Sequence, residues 1–195
     1  MSDPLFEQDD AATPLTREER DDLIPSYITQ RSELNEAEQA NIFDAEQWAF
    51  KRIRNVLDEM FLKSLHKRML GKVWRWAGKI RQTERNIGVE PYRIEMELAQ
   101  LVGDVRYWVE YNTFPPDEIA ARFHHRLVFI HPFPNGNGRH ARLATDLLLH
   151  ALGRERFTWG RVNLVNASDT RRLYIAALRA ADNHDMEPLL QFVRS

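Results

Sequence analysis

Apolar residues recur at helical spacing through most of this chain, the pattern of one buried face on each of several α-helices. Leu57, Phe61, Leu65, Met69 and Val73 predict one helix with a continuous buried stripe. Leu98, Leu101, Val102, Val105, Trp108 and Val109 predict another. Pro115, Pro116 and Asp117 open a helix with Ile119, Phe123, Leu127 and Ile130 facing in. The next carries Leu143, Leu147, Leu148 and Ala151, with Gly153 as its stop. Upstream, Thr16-Arg-Glu-Glu19 reads as a capping box for a short helix ending before Pro25. Asn35-Glu-Ala-Glu38 is a similar cap for a helix carrying Ile42, Ala45, Trp48 and Ala49. Downstream, Ser168 caps a helix through Tyr174, Leu178 and Ala181, and Pro188 suits the first turn of a last short helix. From Lys79 to Ile94 the period changes. Ile80, Ile87, Val89, Tyr92 and Ile94 are β-formers with Gly88 and Pro91 as breakers, which predicts a short hairpin or flap. The expected class is mostly α with one small β element.

The length of 195 residues points to one domain over 35–195, preceded by an arm over 1–34 that holds the short helix. A hydrophobic content of 43% and a charged content of 29% suit a soluble globular chain. The net charge of −2 argues against a general nucleic-acid coat. The absence of cysteine removes disulfides, thiol nucleophiles and Cys-type zinc sites. No run reaches the ~20 apolar residues of a membrane span. The acidic N-terminus lacks a basic-then-apolar leader pattern, so the expected compartment is the cytoplasm. His124 and His125 point apart on a helix, His131 is out of phase with both, and His140 is expected on an exposed side, so no zinc spacing emerges. Oligomeric state has no signal.

The chemistry concentrates in His131-Pro-Phe-Pro-Asn-Gly-Asn-Gly-Arg-His-Ala-Arg142. Gly136 and Gly138 flank Asn137 just before an apolar-periodic helix. Backbone N–H groups of such a loop, with those of the helix start, make an anion site. Arg139 and Arg142, three residues apart, add paired donors for phosphate oxygens. A histidine beside that cradle can move a proton at neutral pH. Phe133 reads as the loop's apolar anchor.

This stretch resembles the H-P-F-x-[D/E]-G-N-G-R-x-x-R signature of Fic-domain (Fic/Doc) proteins, and the chain from about Trp48 onward is most similar to their mobile mystery protein B group. The resemblance implies a Fic-like helical core with a β-hairpin flap over the active-site loop. It implies an adenylyltransferase, in which His131 activates a Ser, Thr or Tyr hydroxyl of a target protein for attack on the α-phosphate of ATP. Gly136, Asn137 and Gly138 would cradle the nucleotide, Arg139 would hold the α- and β-phosphates, and Arg142 the γ-phosphate. The flap from Gln82 to Val89, with Thr83, Arg85, Asn86, Ile87 and Gly88, would dock an extended target segment by main-chain bonds. Asn135 departs from the pattern. The family's acid there helps hold Mg²⁺, and an uncharged amide is a weaker ligand for that cation. A further family pattern, an inhibitory [S/T]-x-x-x-E-[G/N] helix, finds a partial match in Ser32 and Glu36, followed by Ala37. Glu36 would then pair with Arg142, although it also suits a plain helix start. Thr29 with Glu33 is a weaker overlapping match. Removal of AMP, transfer of another phosphate-containing group, or a weakly catalytic nucleotide- or partner-binding module are the alternatives left open.

Overall fold

Two helices, α5 (Pro116–Ile130) and α6 (Asn137–Ala151), pack against each other and are joined by the loop of residues 131–136. The computed structural model describes residues 15–160 and 167–195. The expected loose arm over residues 1–14 and the expected cap by the Ser168 side chain lie outside the described parts. Around the central pair stand α1 (Arg17–Asp21), α2 (Arg31–Phe50), α3 (Glu59–Leu70), α4 (Ile94–Tyr111), α7 (Ala167–Asp182) and α8 (Glu187–Arg194). Helix α4 covers α5, α3 covers α6, α2 lies on α3, and α8 packs on the far side of α5.

The helices follow from the sequence stripes. Pro116 sits in the first turn of α5, and Ile119, Phe123, Leu127 and Ile130 are all buried along it. Full burial of each such side chain contributes about 1.5–3 kcal/mol. Leu65, Met69 and Val73 form the expected stripe of α3 and the turn after it, joined by Leu62 and Leu70. Asp58 caps α3 by accepting from Phe61 N–H at 2.8 Å. The Thr16–Glu19 capping box is present on α1. Helix α2 starts four residues before the Asn35 cap. Glu33 reaches back to the N–H groups of Thr29 and Gln30 at 2.8 and 3.0 Å, so the helix is capped from Gln30. No helix among the described residues is long and apolar enough to cross a membrane.

The expected β-hairpin is not formed. The described residues contain no strand, only an isolated antiparallel bridge between Leu23 and Trp74. The flap is an irregular loop because its backbone is bonded elsewhere. Arg81 N–H donates to Pro132 C=O at 3.0 Å and Val89 N–H to Ile130 C=O at 3.4 Å. Inside the loop the Arg81 guanidinium takes the place of a cross-strand partner, donating to Thr83 C=O at 2.9 Å and to Val89 C=O. Both ends of the flap are thereby tied to the stretch that carries His131.

Candidate active site

His131 ends α5. Its left-handed backbone, φ 53°, turns the chain out of the helix, and its N–H still caps Leu127 C=O at 3.3 Å. A non-glycine residue in this conformation is strained, and such strain gathers at functional sites. Its carbonyl accepts from Arg81 Nε at 2.6 Å. Gly88 presses from the other side: a Cβ there would stand 2.6 Å from the Cβ of His131, and Gly88 itself has φ +92°. Only glycine fits so close an approach. Burial pushes the His131 imidazole down to about 4, and the Arg81 and Arg85 cations add to the shift. The ring is therefore neutral at physiological pH and can accept a proton.

The following loop is locked from within. Asn137 accepts from Phe133 N–H at 2.9 Å and donates to Phe133 C=O at 2.8 Å. Its side chain is thus spent on loop shape, and only its backbone remains for a ligand. Gly136 has φ 77° and caps α6, and a Cβ there would meet Leu70 Cδ1 at 2.6 Å. Gly138 is the opposite case. A Cβ there would meet no protein atom within 4 Å, which leaves open space above the helix start. The first N–H groups of α6 have no intrahelical acceptor and can face an anion. The two arginines diverge: Arg139 Nη1 reaches Glu38 at 2.7 Å, whereas Arg142 lies over the Tyr174 ring at 5.2 Å.

Three side chains that support the site were not legible as functional in the sequence: His66, Arg81 and Glu38. His66 stacks on Phe133 with ring centroids 3.7 Å apart. Its Nδ1 accepts from Gly78 N–H at 2.9 Å, so Nε2 carries the proton that it donates to Asn135 C=O at 3.0 Å. A histidine within the apolar face of α3 was the available signal. His140 is wholly buried, not on an exposed side, because Asn137, His140, Ala141 and Ala144 share the inner face of α6. It bonds Leu62 C=O through Nε2 at 3.0 Å.

Burial holds His140 at about 4, His124 at about 3, and His66 well below its ordinary value. With His131, four histidines are buried in the neutral form. The unfolded chain, with values near ~6.5, takes up protons first as pH falls. Stability from these groups is full above pH ~6.5 and is lost towards pH ~4, by up to about 1.4 kcal/mol per pH unit for each. Thermal melts across that window should show Tm falling steeply with acid. A flat Tm would contradict burial of neutral rings.

Ser32 and Glu36 are exposed, and Glu36 forms no ion pair with Arg142. With α2 starting at Arg31, Leu34, Glu38, Asn41 and Ala45 face inward, and residues 32 and 36 face out. The carboxylate delivered to the motif is Glu38. It pairs with Arg139 and accepts from Trp74 Nε1 at 2.7 Å. In the flap, Asn86, Ile87 and Gly88 are exposed. Arg85 is instead gripped by both oxygens of Glu19, and Thr83 lies 3.5 Å from the same carboxylate.

Asn135 does not fit a metal-holding role. Its Oδ1 accepts from Gly136 N–H at 2.6 Å and lies 3.5 Å from Arg139 Nη2, so the oxygen already faces a cation. Among the described residues no three His, Asp or Glu side chains converge. A hard divalent ion favours anionic oxygens, and Asn135 supplies none.

Comparison with known proteins agrees with this geometry. "Protein adenylyltransferase fic-1" of Caenorhabditis briggsae is 35% identical over 133 residues, covering 66% of this chain and 25% of that protein. Its counterpart from Caenorhabditis elegans is 34% identical over 134 residues with the same coverage. The chain thus spans about a quarter of the length of the curated relatives it matches. Among solved structures, BepC of Bartonella tribocorum, with bound AMPPNP, superposes with a TM-score of 0.69 at 19% identity, covering 92% of this chain and 97% of that one. Fic-1 from C. elegans gives 0.65 at 26% identity, covering 90% of this chain and 51% of that one. The Fic/DOC family profile matches residues 56–149, from the turn before α3 to the end of α6, and so takes in the flap, His131, the glycine loop and both arginines. A helix-ending histidine, a locked glycine loop and a paired arginine helix, in a fold shared with these proteins, establish that the chain belongs to the Fic/DOC family.

Proposed function

We propose that this chain transfers AMP from ATP to a hydroxyl of a target protein. The observation that carries the proposal is His131, a neutral, nearly buried imidazole set beside a glycine loop that opens a helix bearing two arginines. The target Ser, Thr or Tyr gives its proton to the imidazole as its oxygen attacks the α-phosphorus. The bond to the bridging oxygen of the β-phosphate breaks, and pyrophosphate leaves. Arg139 and the N–H groups at the start of α6 hold the α- and β-phosphates, and Arg142 receives the γ-phosphate. Charge spreads over phosphate oxygens in such transfers, so positioned cations and N–H groups are the main catalytic device. The exposed tip at Asn86, Ile87 and Gly88 is where the target segment docks.

Glu38 is the restraint on this reaction, the role first expected of Glu36. Its carboxylate occupies Arg139 donors that the phosphates need. Glu38→Gln keeps an oxygen for Trp74 Nε1 and removes the charge. Initial rates of transfer should then rise about 2–5-fold, the size of one modest ion pair. An unchanged rate would make Glu38 a structural link only.

The test is labelled ATP with cell lysate as target source. Label on protein from the α-phosphate is expected. Label from the γ-phosphate would mean phosphorylation and would overturn the proposal. Asn135 facing Arg139 favours one second reading, a module that binds nucleotide with little transfer. Saturable binding without incorporation would select it.

A further inference from the structure

Arg142 leaves α6 on the side of α7, where its guanidinium lies 5.2 Å from the ring centroid of Tyr174. The Tyr174 hydroxyl is 2.9 Å from His124 Nε2 on α5. His124 is wholly buried, with its ring 4.6 Å from that of Trp159, and Phe192 of α8 stands 5.5 Å from the Tyr174 ring. The phenol is thus clamped among α5, α7 and α8. Burial raises its pKa, with the charge and hydrogen bond of Arg142 opposing, so it is neutral beside a neutral His124. Arginine can only donate, so the phenol oxygen accepts from Arg142, while the hydrogen bond shared with His124 Nε2 holds the phenol in place.

We propose that Tyr174 is a positioning residue whose phenol, oriented by His124, fixes the exposed Arg142 guanidinium to receive the terminal phosphate of a nucleoside triphosphate. The inference rests on the assignment of Arg142 to the γ-phosphate. An exposed arginine free to sample rotamers loses that freedom on gripping a phosphate. One already held by a rigid phenol loses less, and the difference appears as affinity for the triphosphate. Tyr174 lies outside residues 56–149, so the family signature does not include it.

The test is calorimetric binding of α,β-methylene-ATP, which cannot give up AMP, and of AMP to the full chain. Tyr174→Phe keeps the ring and its packing on Phe192 and removes only the hydroxyl. It should weaken the triphosphate about 3–10-fold, the scale of one ordinary hydrogen bond, and leave AMP unchanged. Arg142→Ala should weaken the triphosphate at least as much, and Tyr174→Phe should add nothing in that background. Equal weakening of AMP and triphosphate would show a merely structural role and overturn the proposal. So would a triphosphate affinity that falls in Arg142→Ala but not in Tyr174→Phe. If Arg142→Ala binds triphosphate normally, the γ-phosphate assignment itself fails.

Discussion

Replacing His131 with alanine is expected to lower AMP transfer about 10²–10⁴-fold, the contribution of a positioned general base, while nucleotide affinity stays close to that of the unaltered chain. The histidine acts on the target hydroxyl, whereas the phosphates are held by α6 and its arginines. Its pKa of about 4 sets the pH dependence. A base must be unprotonated to act, so kcat/KM should be flat above pH ~5 and fall as pH drops through ~4. Radiolabel incorporation measured on both proteins over that range checks both statements. Transfer at an undiminished rate in His131→Ala would remove it from the base role.

Replacing Arg81 with methionine is expected to have the largest effect on stability. Arg81 is buried, and its guanidinium donates to three carbonyls, those of His131, Thr83 and Val89. Methionine fills the stem volume but strands all three acceptors, each worth about 1–3 kcal/mol when left unpaired. Water entry recovers part, leaving a loss of roughly 3–5 kcal/mol. For a chain of this length that lowers Tm by about 10 °C. Arg81→Lys should fall between, because one ammonium cannot fork to three well-separated carbonyls. Calorimetric melts decide the matter. A methionine variant that melts like the parent would mean that the flap holds His131 without this guanidinium.

Arg81 also shows what the sequence hides. The helices were legible because burial repeats locally: Ile119, Phe123, Leu127 and Ile130 announce α5 without knowledge of its neighbours. The motif was legible because His131, the glycines and the arginines are contiguous. The flap is no hairpin because β-forming side chains make a strand only where another strand supplies bonds. Here an arginine and the loop after α5 supply them. The motif match points to Glu36, and a cap at Asn35 leaves Glu38 as a first-turn residue. A start at Arg31, capped from Gln30 through Glu33, turns Glu38 inward and Glu36 outward. The place of His140 beside Arg139 suggests an exposed side, yet α6 buries that face against α3. Tyr174 reaches Arg142 only through the packing of α7, which no local pattern records.

The most direct test of the account is to count products in one reaction. With the Glu38→Gln chain, ATP and lysate, protein-bound AMP and free pyrophosphate should appear in equal amounts, and both should vanish when His131→Ala is added. Pyrophosphate released without protein-bound AMP, or incorporation that persists without His131, would contradict it.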